Sequence, residues 1–502
     1  MRRIPAVKNT ITTGANPYMP LWEHVPDGEP RVFTYNGETR IYLYGSHDTK
    51  KTDYCGPDYV VWSAPVERPT EWTCHGVCYT ASDGGDLYAP DVVYQDGTYY
   101  MYAAENRGSS IMLVKSDKPW GPFTDPVKTE LGFDPGILVD DDGRVYAYWG
   151  FCESHAGELN DDMATLKKET VVHHLIGHCH PFWIKEDDGH VDAKTGFFEA
   201  SSPRKINGKY VLVYSKRYEY PREDLGVVGS CNGFLSYVWS DTPLGGFRRG
   251  GDISFNGGEI VEGPEGGIMT YQWGNNHGSL MKVGDQWYIF YHRQEGCDEY
   301  ARQAMVEPVD IAVGADGTIY IGKITYEGGE PVSSDVVEMT SQGFFTGGLD
   351  AYSVISAGYA CHIYDGTRRH NFVGNARETN EGNDRPHVHP VYEGDSAPVV
   401  NIISGTTVGF KYLQFGSGAG DGAVAGASRA VLTGSFPAGF KVEVRLDSYD
   451  GACVGSVTVP DVDASELEIP LTAAVAGKHA VYFAFETADS ASMAVLDTFC
   501  FE

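Results

Sequence analysis

A short hairpin pattern occurs five times in this chain, and an ionisable residue precedes each copy. The turn dipeptides of the five copies are Asn36-Gly37, Asp96-Gly97, Asp142-Gly143, Asn207-Gly208 and Gly284-Asp285. A run rich in Tyr, Val and Ile follows each dipeptide, and a turn dipeptide between two apolar runs is the strongest local signal for a β-hairpin. The ionisable residues, each within ten positions upstream, are Glu29, Asp91, Asp134, Glu199 and His277.

An irregular repeat of hairpins is typical of a β-propeller, in which every blade starts with a strand beside a common axis. Five blades would bring the five ionisable side chains into one small volume. The repeat therefore predicts a five-bladed propeller with a polar site near its centre.

The composition changes part-way along the chain. All nine Trp lie between Trp22 and Trp287, whereas the tail is rich in Ala, Gly, Val and Ser. In the tail, segments such as residues 442–446 alternate apolar and polar positions between Gly-rich turns, which is the pattern of a β-sandwich. We therefore predict an all-β protein, with a five-bladed β-propeller at residues 1–340 and a β-sandwich of the jelly-roll type at residues 341–502.

The chain has 502 residues and a net charge of −31. Such an acidic protein repels nucleic acid and anionic membranes, and it suits a neutral substrate such as a sugar. No run of 18 apolar residues occurs, so no transmembrane helix is expected. The first ten residues have no apolar run after them, which predicts a cytoplasmic protein without a secretory signal. Its ten Cys show no repeated metal-binding spacing and are expected to be free thiols. The oligomeric state is left open.

The segments around the ionisable residues resemble glycoside hydrolase family 43, whose members are five-bladed propellers. The likeness covers about residues 16–340. Four segments carry it: DGEPRVF at 27–33, FDPGILVDDDG at 133–143, FEASSPRK at 198–205 and GNNHGS at 274–279.

This resemblance implies cleavage of a glycosidic bond with inversion, which needs two carboxyl groups about 6.5–9.5 Å apart. Glu199 would be the acid that protonates the leaving oxygen, and Asp134 would raise its pKa. Glu29, which precedes Pro30, would be the base that activates water, although the family usually has Asp there. Asp27 would face the same side of an extended strand, and it is the alternative base.

Four further residues are predicted to contact the sugar: Asp91, Arg302, Trp149 and His47. Arg302 matches a family position in the terminal subsite, and Trp149 offers a ring face for stacking. Asp91 has the alternative role of structuring the pocket floor. His277 matches a position that faces the central metal in the family, which implies a partly hydrated calcium ion at the axis and no organic cofactor.

A second group of ligating residues lies at His173, His174, His178, Cys179 and His180. Their spacing matches no standard zinc site. We interpret this segment as a loop that lines the funnel just before the fourth blade.

The tail resembles a family 6 carbohydrate-binding module at residues 405–416 and 496–501, but it contains no Trp for stacking on a sugar. For the whole chain the resemblance implies an exo-acting hydrolase that releases a terminal pentose from plant-type oligosaccharides, as an α-L-arabinofuranosidase or β-xylosidase. Three alternatives stay open. They are a β-galactofuranosidase, a glycoside phosphorylase with a cationic phosphate site, and a non-catalytic propeller that binds glycans.

Overall fold

The computed structural model describes residues 11–50, 53–177, 196–218, 231–261, 268–272, 274–296, 299–365, 385–416 and 426–502. Strands dominate these ranges, and the helices described there are two 3₁₀ helices, Lys168–Thr170 and Ala357–Tyr359. No helix in the described ranges is long and apolar enough to cross a membrane.

Five antiparallel sheets form the blades of a propeller, each with its strands in chain order. Blade 1 contains β1 (Glu29–Tyr35), β2 (Glu38–Tyr44), β3 (Asp58–Pro65) and β4 (Thr73–Thr80). Blade 2 contains β5 (Tyr88–Gln95), β6 (Thr98–Glu105), β7 (Ser110–Ser116) and β8 (Thr124–Lys128). Blade 3 contains β9 (Gly136–Val139), β10 (Val145–Trp149), β11 (His155–Glu158) and β12 (Val172–His173). Blade 4 contains β13 (Phe197–Ile206), β14 (Lys209–Tyr218), β15 (Cys231–Ser240) and β16 (Arg248–Phe255).

Blade 5 has a fifth strand, and a small two-stranded sheet precedes it in the chain. The small sheet pairs β17 (Ile260–Val261) with β18 (Ile268–Met269). Blade 5 contains β19 (Ser279–Val283), β20 (Gln286–Glu295), β21 (Ala301–Val313), β22 (Ile319–Glu327) and β23 (Glu330–Asp335).

Each turn dipeptide of the sequence joins the first and second strands of one blade, as the hairpin pattern predicted. The second turn residue of the first four copies has a φ of 77° to 87°; these residues are Gly37, Gly97, Gly143 and Gly208. This left-handed backbone favours glycine. The five-bladed propeller is therefore confirmed.

The five innermost strands form a closed ring. β1, β5, β9, β13 and β19 each contact the next, and β19 contacts β1. The segment before β1 completes the closure, because the N–H of Tyr18 donates to the carbonyl of Ala304 at 3.1 Å and the side-chain amide of Asn16 donates to the carbonyl of Val306 at 2.7 Å.

Charged side chains fill the ring at its centre. Arg31 donates to both carboxylate oxygens of Asp91, at 2.7 and 2.6 Å, and to the carbonyl of Ile137 at 3.1 Å. The same guanidinium lies 3.2 Å from Glu29. We call Glu29, Arg31, Asp91 and Arg204 the axial network.

Arg204 connects the axial network to the last two blades. It donates to Glu29 at 2.5 Å and to the carbonyl of Leu280 at 2.7 Å. Ser202 and Ser279 also donate to the Glu29 carboxylate, at 3.0 and 3.3 Å. The network thus contacts the innermost strands of all five blades.

The tail folds as a curled sheet in two layers. Its strands are β24 (Leu349–Asp350), β25 (Ile355–Ser356), β26 (His362–Tyr364), β27 (His387–Val388), β28 (Val399–Ile402), β29 (Thr407–Phe415), β30 (Ala427–Phe436), β31 (Lys441–Leu446), β32 (Cys453–Thr458), β33 (Ala464–Val475), β34 (Gly477–Glu486) and β35 (Ala494–Phe501). β33 pairs with β30 along its length and with β32 at one position, which joins the layers. The likeness of this domain to a carbohydrate-binding module stays a prediction.

The sandwich and the propeller share one apolar core. This core contains Leu235 and Ile289 from blades 4 and 5 as well as Phe410 and Phe483 from the sandwich. Arg293 of β20 is fully buried beside it.

Arg293 fixes blade 5 to the sandwich by hydrogen bonds. Its guanidinium donates to the carbonyl of Ala360 at 2.5 Å and to that of Gly358. A second contact runs from the sandwich to the propeller. Lys411 of the sandwich pairs with two carboxylates of residues 1–340, Glu259 at 2.5 Å and Glu338 at 2.9 Å.

Replacing Arg293 with Met should destabilise the whole protein. The substitution leaves two buried carbonyls without their donor, and we expect a loss of about 2–5 kcal/mol in the free energy of unfolding, measured by urea denaturation. Arg68→Met removes an exposed ion pair with Glu71 and should change nothing measurable. Equal stability of the two variants would contradict the proposed contact between the domains.

Candidate active site

A cavity of about 500 Å³ lies at the end of the ring where the innermost strands begin. All five blades contribute to its lining, which comprises Asp27, Tyr54, Cys55, Tyr88, Ala89, Phe133, Asp134, Phe151, Phe198, Glu199, Arg217, Asn232, Asn275, His277, Glu299 and Arg302. Four of the predicted site residues therefore meet here, together with the alternative base: Asp134, Glu199, His277, Arg302 and Asp27.

Irregular backbone directs three carboxyl groups into this cavity. Asp27 and Asp134 lie two residues before β1 and β9 and have left-handed φ values of 57° and 50°. Asp tolerates that conformation better than most residues. Glu199 lies in a bulge of β13, where the pairing with β14 shifts on both sides of it and the next residue, Ala200, has a φ of 67°. Bulges of this kind re-aim side chains.

Asp27 is an ionised carboxylate held by a buried arginine. Arg302 donates to it at 2.9 and 3.1 Å, and Ser46 donates at 2.5 Å. Burial alone would raise the pKa of Asp27, but the charge of Arg302 lowers this pKa to about 2. Arg302 is fixed in turn by Asp48, to which it donates twice at 2.9 Å.

His292 supports Asp27 from behind as a neutral ring. Burial lowers the pKa of His292 to about 3. The N–H of Asp27 donates to its Nδ1 at 3.2 Å, so Nε2 carries the proton and donates to the carbonyl of Asn275 at 2.7 Å. This pairing fixes the tautomer and the orientation of the loop that carries Asp27.

Glu29 does not line the cavity, so its predicted role as the base does not fit the structure. It is buried in the axial network, where Arg204 and Arg31 overcome the effect of burial and lower its pKa. The expectation that Asp27 and Glu29 face the same side assumed an extended strand. The left-handed backbone at Asp27 breaks this alternation. Of these two residues, Asp27 therefore lines the cavity and Glu29 does not.

Glu199 and Asp134 form a buried acidic pair. Burial, then the charge of Asp134, raises the pKa of Glu199 well above its ordinary value. Burial also raises the pKa of Asp134, to about 6, although His277 opposes the shift. Asp134 accepts a hydrogen bond from the N–H of Ala200 at 3.2 Å, which ties it to the residue after Glu199. The pair therefore favours a proton on Glu199.

His277 lies among the carboxylates. Its Nδ1 is 3.5 Å from Asp134 and 3.9 Å from Asp27. Within the described part of the chain, no group of three or more His, Cys, Asp or Glu has the geometry to hold a metal ion. In the axial network, the carboxylates of Glu29 and Asp91 balance the charges of Arg31 and Arg204. A partly hydrated calcium ion at the axis beside His277 stays a prediction.

Asp91 and Trp149 lie outside the cavity. Asp91 is occupied by Arg31 and by the N–H of Ile137, which donates to it at 2.7 Å, so it supports the pocket floor. Trp149 is 7% exposed and packs in the core between blades 2 and 3. Trp149 packs closely against Gly132, since a Cβ added at Gly132 would lie 2.7 Å from the Trp149 ring.

His47 also lies outside the lining. Its Nδ1 is 2.7 Å from Asp58 and its Nε2 is 3.2 Å from Glu23. Burial would lower the pKa of His47, but the hydrogen bonds to Asp58 and Glu23 raise it to about 9. The charged ring therefore connects the loop that carries Glu23 to the first residue of β3.

The His-rich segment lies partly outside the described residues, namely at His178, Cys179 and His180. Of the remainder, His173 faces His155 on the neighbouring strand, with their Nδ1 atoms 3.0 Å apart. Neither of these two residues belongs to the cavity lining.

The aromatic part of the lining was missed from the sequence. Phe133 and Phe198 directly precede the predicted Asp134 and Glu199 and were visible in the same motifs. Tyr54 lies in a polar insert of blade 1, of the kind that forms the rim of a propeller funnel. No local signal marks the others.

Comparison with known proteins gives a consistent result. Residues 28–319 match the sequence profile described as Glycosyl hydrolases family 43. A xylosidase/arabinosidase of Thermoclostridium stercorarium is 31% identical over 95% of this chain and 97% of its own length. Xylosidase/arabinosidase 43A of Humicola insolens is 29% identical over 61% of this chain and 99% of its own. An arabinoxylan arabinofuranohydrolase of Paenibacillus polymyxa is 25% identical over 96% of this chain and 74% of its own.

Glu199→Gln should stabilise the protein increasingly as pH rises. The folded state binds the Glu199 proton more tightly than the unfolded chain does. Its contribution to stability is therefore fully present below the unfolded pKa and is lost as pH rises towards the folded one. Relative to the Glu199→Gln variant, the wild type should lose about 1.4 kcal/mol per pH unit across that window.

Urea denaturation at pH 4 and pH 8 measures this difference. Glu466→Gln, at an exposed position of the sandwich, is the matched control and should show the same small difference at both pH values. A pH-independent effect of Glu199→Gln would contradict the raised pKa.

Proposed function

The chain belongs to glycosyl hydrolases family 43, and on that premise we propose that it is an inverting exo-glycoside hydrolase. It releases a terminal pentose, α-L-arabinofuranose or β-D-xylose, from plant-type oligosaccharides. The names of the relatives support this choice of sugars, since two of them are xylosidase/arabinosidases and one is an arabinofuranohydrolase.

One observation carries the proposal: two carboxyl groups of opposite protonation line the same cavity. Arg302 holds Asp27 ionised with a pKa of about 2, whereas burial and Asp134 favour the protonated form of Glu199. Inverting hydrolysis needs this combination of one base and one acid.

The reaction follows from these two states. Asp27 accepts a proton from a water molecule as the oxygen of that water attacks the anomeric carbon. Glu199 gives its proton to the glycosidic oxygen as the bond to the leaving group breaks. The cycle ends with Asp27 protonated and Glu199 ionised, and proton exchange with solvent restores both.

Neighbouring residues maintain the opposite protonation states of Asp27 and Glu199. Arg302 stabilises the charge of Asp27, and His292 orients the backbone that carries it. Asp134 disfavours ionisation of Glu199. Arg302 and Arg217 are the guanidinium groups in the described lining, and Arg302 is already paired with Asp27 and Asp48. Because its charge is already matched, Arg302 is not available to a phosphate, and this favours water as the nucleophile.

A panel of 4-nitrophenyl glycosides tests the proposed function. We expect hydrolysis of the α-L-arabinofuranoside or the β-D-xylopyranoside without phosphate, and the first sugar released, followed by NMR, should have the inverted anomeric configuration. Turnover that requires phosphate would indicate a phosphorylase. Exclusive turnover of the β-D-galactofuranoside would indicate a galactofuranosidase, and no turnover at all would indicate a binding propeller.

Two matched carboxamide variants separate the base from the axial network. Asp27→Asn should lower kcat/KM by about 10²–10⁴-fold, the range for loss of a general base. Azide, a nucleophile that needs no base, should restore part of the turnover. Glu29→Gln should leave kcat/KM of the folded protein nearly unchanged but lower stability by about 3–5 kcal/mol, because it uncouples a buried ionic pair. Loss of turnover in a folded Glu29→Gln protein, with azide rescue, would make Glu29 the base.

A further inference from the structure

One aromatic side chain at the cavity has an unusual environment. Phe151 lines the cavity, yet 53% of its surface is exposed. Of the exposed large apolar side chains in the described residues, it alone belongs to the lining. An exposed aromatic ring at a binding site is a surface for an apolar face of a ligand.

The turn that carries Phe151 is tied to the backbone beside both acidic groups. The N–H of Gly150 donates to the carbonyl of Phe133 at 2.8 Å, and the N–H of Cys152 donates to the carbonyl of Phe198 at 2.6 Å. Phe133 and Phe198 are the residues directly before Asp134 and Glu199 in the chain. The position of Phe151 is therefore fixed relative to the buried acidic pair.

The ring itself rests on two others. Its centroid lies 5.4 Å from that of Phe133 and 5.1 Å from that of Phe198. The backbone of the turn is closely packed, because a Cβ added at Gly150 would lie 1.7 Å from the carbonyl oxygen of Glu153. Phe151 is thus held against two other rings, at interplanar angles of 67° and 55°, while 53% of its surface stays exposed.

The chemistry indicates which part of the substrate meets this ring. The acid protonates the oxygen of the leaving group, so the leaving group lies on the side of Glu199. Phe151 packs on the residue adjoining Glu199, whereas the base Asp27 is held by Arg302 and Ser46. The exposed part of Phe151 therefore lies on the side of Glu199, where the leaving group binds.

We propose that Phe151 is a stacking platform for the sugar ring of the leaving group. This inference rests on the proposed function, because it uses Glu199 as the acid. The ligand is a pyranose ring with an apolar face of C–H groups, as in an oligosaccharide of β-linked pentopyranose or hexopyranose units. Covering the exposed ring removes apolar surface from water on both partners, which stabilises the complex.

The test compares two substrates that carry the same pentose in the same anomeric configuration. One is an oligosaccharide whose leaving group is a pyranose, and the other is the glycosyl fluoride, whose leaving group has no ring. Phe151→Ala should lower kcat/KM for the oligosaccharide at least about 10-fold, because Ala cannot cover the apolar face of the pyranose. The same variant should leave kcat/KM for the fluoride within about two-fold of the wild type, because the fluoride has no ring to stack.

Two controls separate stacking from structural damage. Phe151→Tyr keeps the ring and should keep kcat/KM for the oligosaccharide close to that of the wild type. Tyr94→Ala removes an exposed ring outside the cavity and should affect neither substrate.

The outcomes distinguish this inference from the proposed function. If kcat/KM of Phe151→Ala fell equally for both substrates, or fell for neither, the proposed stacking role of Phe151 would be wrong. The hydrolase activity of the wild type would be unaffected by that result. If the wild-type protein hydrolysed neither substrate, the proposed function would be wrong, and so would the stacking role of Phe151.

Discussion

The axial network is the interaction on which the rest of the propeller depends. Buried charges are tolerated only when they are paired and hydrogen-bonded, and Glu29, Arg31, Asp91 and Arg204 obtain their partners only when five separate strands meet at one level. The network therefore penalises any blade that is displaced along the axis. Because the cavity lies directly at the start of the same strands, the positions of its carboxyl groups follow from this alignment.

The cavity shows how one chemical group acquires two opposite roles. Asp27 and Glu199 are both carboxyl groups, and both are buried. The difference lies in their neighbours, since Asp27 faces a guanidinium that is itself fixed by Asp48, and Glu199 faces the carboxylate of Asp134. The propeller suits this separation, because Asp27 and Glu199 belong to different blades, and each has different nearest charged neighbours.

The sequence predicted the fold because turn dipeptides and apolar runs are local signals that recur once per blade. It also brought Asp134, Glu199, His277 and Arg302 to one site. The sequence ranked Glu29 above Asp27, but it is Asp27 that lines the cavity. The left-handed backbone at Asp27 reverses the side to which its carboxylate points, and no periodicity reveals this. Phe151 escaped notice because its position depends on packing against Phe198 of the next blade, which no local pattern reveals.

The shared core of blade 5 and the sandwich has a consequence for the architecture of the enzyme. The change in composition suggests a detachable appendage, but the buried Arg293 and the apolar contacts around Phe410 cross that apparent border. Removing the tail would expose to water the apolar side chains of blades 4 and 5 that now pack against the sandwich.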